Sequence, residues 1–128
     1  MIVVYGVREQ LNPIKTKLSE VIHGCVVAVL GMPEGKRAHR FIPLELENFF
    51  YPTDRSEAYT VIEINMMLGR TVETKKALIK ALYERISAEL FIANADIEIT
   101  IKEQPAHCWG FRGITGDEAA DLGYQLNV

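Results

Sequence analysis

At 128 residues and 48% hydrophobic composition, the chain holds one domain with a real core and too little material for two. Its formal charge of -3 supplies no basic footprint for a phosphate backbone, so nucleic acid is not expected as a partner. No apolar run of about 18 residues is present, and the opening MIVVYGVREQ lacks the regions of a signal peptide; a cytoplasmic protein with no membrane partner is the expectation.

The first predicted element is a strand over 2–7, IVVYGV, β-branched and aromatic and followed at once by polar residues. Asn12-Pro13 then predicts a helix, with Asn12 as cap and Pro13 in the first turn, and Leu18, Val21, Ile22, Cys25, Val26, Val29 and Leu30 at helical spacing. Gly31 stops it, with Pro33 behind. A second strand is expected over 40–47, where Pro43 points to a sheet edge. The linker ENFFYPTDRSEAY reads as a hairpin or exposed loop. Residues 59–67 predict a third strand, Gly69-Arg70-Thr71 a turn with a cap, and Leu78, Leu82, Ile86 and Leu90 an amphipathic helix. The cleanest alternation, DIEITIKE over 96–103, predicts a fourth strand.

Strand, helix and strand thus occur twice. The expected fold is a single α/β domain over 1–128, with β-α-β units at about 1–47 and 59–103 and a tail over 104–128. Two right-handed crossovers give a four-stranded mixed sheet with both helices on one face. Nothing remains in the chain to cover the other face, and the strands read as too apolar to leave it wet, so a homo-oligomer is expected. The glycine-rich tail from Gly110 is expected to wrap a neighbouring subunit. Cys25 and Cys108 share no ligand spacing with each other or with histidine, so neither a disulfide nor a metal site is expected, and no motif calls for a cofactor.

The opening strand, LGMPEGKRAHRF, INMMLGRTVETKKALIKALYERI and EITIKEQPAHCWGFRG together resemble the tautomerase superfamily, in particular the longer-chain branch that includes malonate semialdehyde decarboxylase. The resemblance covers nearly the whole chain. It implies a homotrimer with active sites near subunit interfaces, and an N-terminal proline acting as general acid or base. Position 2 here is Ile, which implies a retained Met1 with a primary amine. Lys36 stands where that branch has a carboxylate, and Leu68 replaces one of its two loop arginines, leaving Arg70.

The expected catalytic pair is therefore Met1 and Arg70. An α-amine has a usual pKa of about 7.7 to 8.0, which burial brings toward neutrality. A planar guanidinium at a strand end can hold a carboxylate through two parallel hydrogen bonds. The plainer alternatives are a Met1 that only begins a strand and an Arg70 that pairs with a carboxylate on a neighbouring helix. Arg37, His39 and Arg112 are candidate substrate-binding residues, and Trp109 and Phe111, matching the family's Trp-x-Phe, a candidate apolar wall. Adjacent His107 and Cys108 point to opposite sides of an extended chain and have no third orienting group, which argues against a Cys-His nucleophile. Two functions remain: a keto-enol tautomerase or isomerase of a small 2-oxo acid, or a non-catalytic trimeric module that binds a small carboxylate-bearing molecule or another partner.

Overall fold

The β-branched opening run forms β1 (Ile2–Val7), and the computed structural model, which describes all 128 residues, adds β2 (His39–Leu44), β3 (Thr60–Met67) and β4 (Ile97–Gln104) in one sheet of order β2-β1-β3-β4. β1 pairs parallel with β2 and antiparallel with β3, which pairs parallel with β4, so the sheet is mixed as expected. Pro43 lies in β2, an edge strand, where a missing N–H is tolerated.

After β1 the chain departs from the predicted helix start. A single turn, α1 (Arg8–Leu11), comes first, and Asn12 closes it in helical backbone geometry, φ -55° and ψ -43°, its N–H donating to the Arg8 carbonyl. A residue in that conformation cannot act as an extended N-cap. The long helix α2 (Lys15–Leu30) starts from Ile14 with no side-chain cap and ends at Gly31, whose φ of 70° is left-handed as the sequence implies. α3 (Val72–Leu90) is capped as predicted: the Thr74 N–H donates to Thr71 Oγ1 at 3.1 Å.

Both helices lie on one face. Ile2 and Val4 of β1, Ile62, Ile64 and Met66 of β3, and Ile97 of β4 pack there against Leu18, Ile22 and Cys25 of α2 and Leu78, Leu82 and Ile86 of α3. Burying such side chains from water is worth about 1.5 to 3 kcal/mol each, and this layer is the main source of stability. The opposite face has no cover in this chain, and it is less apolar than the strands suggested. Ile42 and Leu44 are half-buried there, but Lys102 Nζ donates to the Glu63 carboxylate at 2.6 Å, and that carboxylate also raises the pKa of the nearby Tyr5 hydroxyl. Two β-branched strands with polar residues at alternate positions give this mixed surface.

The register brings four strand ends together. Ile2 lies opposite both His39 and Ile64, and Met67 opposite Gln104, so the starts of β1 and β2 meet the ends of β3 and β4 at one end of the sheet. Past β4, residues 104–128 turn back across that same end. They include a small hairpin of β5 (Gly110–Phe111) and β6 (Ile114–Thr115) and continue over the β3-α3 junction of their own chain. Within its own subunit, oxygens of this segment accept from Lys36, Thr71 and Thr74.

Candidate functional site

Where the four strand ends meet, a cavity of about 570 Å³ opens. Every residue singled out from the sequence, Met1, Arg37, His39, Arg70, Trp109, Phe111 and Arg112, lines it, and so does Lys36. The topology accounts for the convergence of segments so distant in sequence: Met1 lies immediately before β1, the Lys36-Arg37 pair in the turn before β2, Arg70 at the β3-α3 junction, and Trp109 and Phe111 at the start of the hairpin after β4. No Asp or Glu lines the cavity, although the chain carries more acids than bases. The pocket is thus a cationic enclave in an anionic protein, with apolar walls from Val26, Leu30 and Met66.

Arg70 is its most unusual member. It is only 7% exposed, yet no carboxylate pairs with it. Nη1 donates to the Met67 carbonyl at 3.2 Å, Nη2 lies 3.8 Å from the Met32 sulfur, and buried Nε has no partner. Glu103, the acid that bears on it electrostatically, is held by Lys75 at 2.8 Å. The ion pair offered as the plainer alternative is absent. Burial draws the guanidinium below its usual pKa, with Tyr124 and Glu103 opposing, and it remains a cation. An unpaired buried charge costs several kcal/mol, and the fold carries that cost at this position.

Met1 sits across the same sheet end. Its ammonium donates to the Asn65 carbonyl at 2.7 Å, and the Asn65 N–H returns a bond to the Met1 carbonyl at 2.8 Å, so a backbone pair with β3 fixes the nitrogen. Burial above all, then the Arg40 and Arg70 charges, lowers its pKa below the usual 8.0. Arg40 Nη1 also donates to the Met1 sulfur.

His39 shares a 2.8 Å hydrogen bond between its Nδ1 and Ser19 Oγ and packs edge-on to His23, their ring centroids 5.9 Å apart. His23 in turn donates from Nε2 to the Glu34 carbonyl at 2.7 Å. Burial first, and then His23, Arg37 and the N-terminus, depress His39 to about 4, so it is a neutral hydrogen-bonding group at pH 7. The turn between β5 and β6 places Arg112 and Gly113 at φ 52° and 80°, the all-positive geometry of a type I′ hairpin, and Arg112 stacks on Phe111 at 5.1 Å. Trp109 Nε1 is buried without an acceptor, so two residues of one cavity each hold an unused donor.

The sequence reading missed three contributors. Tyr124 and Leu122 reach the cavity from the tail, and His23 from α2. Nothing in the spacing of GDEAADLGYQLNV announces this placement. His23 falls at a helical position beside Ile22 on the apolar face and reads as core.

Comparison with known proteins gives a consistent picture. The sequence model of a family described as "Tautomerase enzyme" matches residues 36–112. Over 100 residues the chain is 28% identical to the probable tautomerase YusQ of Bacillus subtilis (strain 168), covering 74% of this chain and 79% of that protein. It is 33% identical over 61 residues to the probable tautomerase RSp0893 of Ralstonia nicotianae (strain ATCC BAA-1114 / GMI1000), 48% of this chain and 87% of that one. Among solved structures, FG41 malonate semialdehyde decarboxylase inhibited by 3-bromopropiolate superposes with a TM-score of 0.81 at 22% identity, covering 94% and 98% of the two chains, a likeness of fold alone. A fused 4-OT, solved as an asymmetric trimer, gives 0.80 at 26% identity over 91% of this chain and 95% of that chain.

Proposed function

The chain belongs to the tautomerase family, and from that premise we propose that its cavity binds a small 2-oxo acid or the corresponding enol and moves a proton between carbon and oxygen. The observation that carries this reading is Arg70: a buried, unpaired guanidinium in a cavity without a single acidic side chain. A substrate carboxylate supplies the missing partner, and its in-plane hydrogen bonds also satisfy Nε.

The Met1 amine is the proton carrier in this reading. With its pKa lowered, a larger share is neutral near pH 7 than for an exposed terminus. For an enol substrate, the neutral amine takes the hydroxyl proton as the C–O double bond forms, and the resulting ammonium delivers a proton to C3. Negative charge that develops on oxygen faces the cations Arg37, Lys36 and Arg112, while Trp109 and Phe111 exclude water from one side. Neutral His39 serves as a hydrogen-bonding wall and not as a charge. The role given to Met1 takes it as the mature first residue, which intact mass measurement checks directly.

The same reading includes a homotrimer. The half-apolar open sheet face, where Ile42 and Leu44 lie, suits burial against other copies, and the fused 4-OT relative is a trimer.

The test is the ketonisation of phenylenolpyruvate followed by ultraviolet absorbance, for the native protein, Arg70→Ala and a sample blocked at its N-terminal amine. Saturable acceleration lost in both controls supports the amine-and-arginine tautomerase. Carboxylate binding that depends on Arg70 without any acceleration points instead to a small-anion binding module.

A further inference from the structure

We propose that Tyr124, carried by the C-terminal segment, is a positioning residue for Arg70, holding the guanidinium by its face so that its edge stays free for the substrate carboxylate. The proposal rests on the reading of Arg70 as the carboxylate anchor. Arg70 Cζ lies 5.6 Å from the centroid of the Tyr124 ring, and Lys36 Nζ lies 5.0 Å from the same centroid. One aromatic ring thus serves two cations of the cavity.

The choice of an aromatic ring has a chemical consequence. A carboxylate beside Arg70 would orient it, but would also neutralise it and occupy the in-plane N–H groups that a ligand needs. A ring attracts the cation through its quadrupole, accepts none of those in-plane bonds and leaves the charge in place. The remaining contacts of Arg70 agree with this arrangement: one carbonyl on Nη1, a weak sulfur acceptor on Nη2 and nothing on Nε.

The tail is fastened on both sides of Tyr124. On one side Lys36 Nζ donates to the Leu122 carbonyl. On the other the Val128 oxygen accepts from Thr71 Oγ1 at 3.2 Å and Thr74 Oγ1 at 2.6 Å, at the start of α3. Between them Leu126 crosses Gly69, where an added Cβ would stand 2.9 Å from Leu126 Cβ and 3.0 Å from its carbonyl oxygen. Gly69 also has φ 147°, so both backbone and space call for glycine where the tail crosses the loop that carries Arg70. Residues 122–128 therefore act as a strap that brings an aromatic face to a junction 54 positions earlier in the chain, as the Thr74 to Val128 separation measures.

The experiment is calorimetric titration of phenylpyruvate into wild type, Tyr124→Phe, Tyr124→Leu and Arg70→Met, with the thermal midpoint of each. Tyr124→Leu is expected to weaken binding about tenfold with the midpoint unchanged, and Tyr124→Phe, which keeps the ring, to bind within about twofold of wild type. Thr74→Val, which loosens the strap without touching the cavity, is expected to fall between them. Tyr124→Leu binding as wild type overturns the proposal while leaving Arg70 as the anchor if Arg70→Met no longer binds. Equal loss in Tyr124→Phe and Tyr124→Leu also overturns it, because the hydroxyl and not the ring face would then be responsible. Wild type that fails to bind phenylpyruvate overturns the anchor reading, and the positioning role with it.

Discussion

The two ends of the sheet treat their charged groups in opposite ways. At the end where β1 finishes, Arg8 donates to Glu45 at 2.5 Å, Arg55 meets Asp54 at 2.6 Å, and buried Asp96 accepts from the Ser56 N–H at 2.8 Å and its hydroxyl at 2.6 Å. At the other end Arg70 is buried with no acid beside it, and the cavity around it contains none. Both ends begin a helix after a strand, and both place an arginine there. What separates the two arginine sites is charge pairing: Arg8 and Arg55 each meet an acid, although Arg55 Nε, like Arg70 Nε, is buried without a hydrogen-bond partner, whereas Arg70 meets no acid at all. An electrostatic debt concentrated in one cavity marks a binding site more clearly than residue type does.

The largest effect that sharpens this contrast is at Arg70. Arg70→Ala should lower kcat/KM for ketonisation by about 10² to 10³-fold, the size of loss seen when a preorganised charge-stabilising group is removed. At the opposite end, Asp96→Ala should leave kcat/KM within about twofold yet destabilise the fold by about 1.5 to 3 kcal/mol, because two hydrogen bonds to a buried carboxylate are lost; denaturant titration measures it. Next comes His39, whose folded-state pKa of about 4 lies below its usual 6.5. The unfolded chain binds this proton more readily, so its contribution to stability is complete above pH 6.5 and falls as pH drops toward 4, by on the order of 2 kcal/mol. His39→Gln should flatten that part of the stability profile. With Met1 as the proton carrier in its neutral form, the acidic limb of kcat/KM should rise with pH through an apparent pKa below 8.0, and Arg40→Met, which removes the second of the causes lowering it, should move that limb to higher pH. The smallest effect belongs to Arg8→Ala: with both partners 48% exposed, the loss should stay under about 1 kcal/mol, with kinetics unchanged. An Arg8 variant that matched Arg70 in its effect on kcat/KM would dissolve the distinction between the two ends.

Strands and helices were legible because their signals are local. Alternation marked β4, β-branching marked β1, and Thr71 and Gly31 marked the cap and stop that the structure contains. Asn12-Pro13 misled because the chain inserts α1 first, and a helical Asn12 has no free role as a cap. The cavity residues that follow the family's motifs were also legible, since Arg70 and Trp109 lie in recognisable runs. Their state was not: whether an arginine finds an acid depends on segments 30 or more positions away, such as the Met32 contact at a separation of 38. Tyr124 carried no local signal, because a tail tyrosine between glycine and glutamine gives neither helical nor strand periodicity. The open sheet face shows the same limit, since the row from Tyr5 through Glu63 to Lys102 exists only in the register of three strands.

The most direct test of the account is the thermal midpoint of Arg70→Met compared with wild type, each with and without saturating phenylpyruvate. A buried cation that waits for an anion predicts that the apolar replacement leaves the ligand-free midpoint unchanged or raises it, and that phenylpyruvate stabilises wild type alone. A ligand-free midpoint that falls by several degrees in Arg70→Met, with phenylpyruvate still stabilising the variant, would make Arg70 a structural residue and contradict the account.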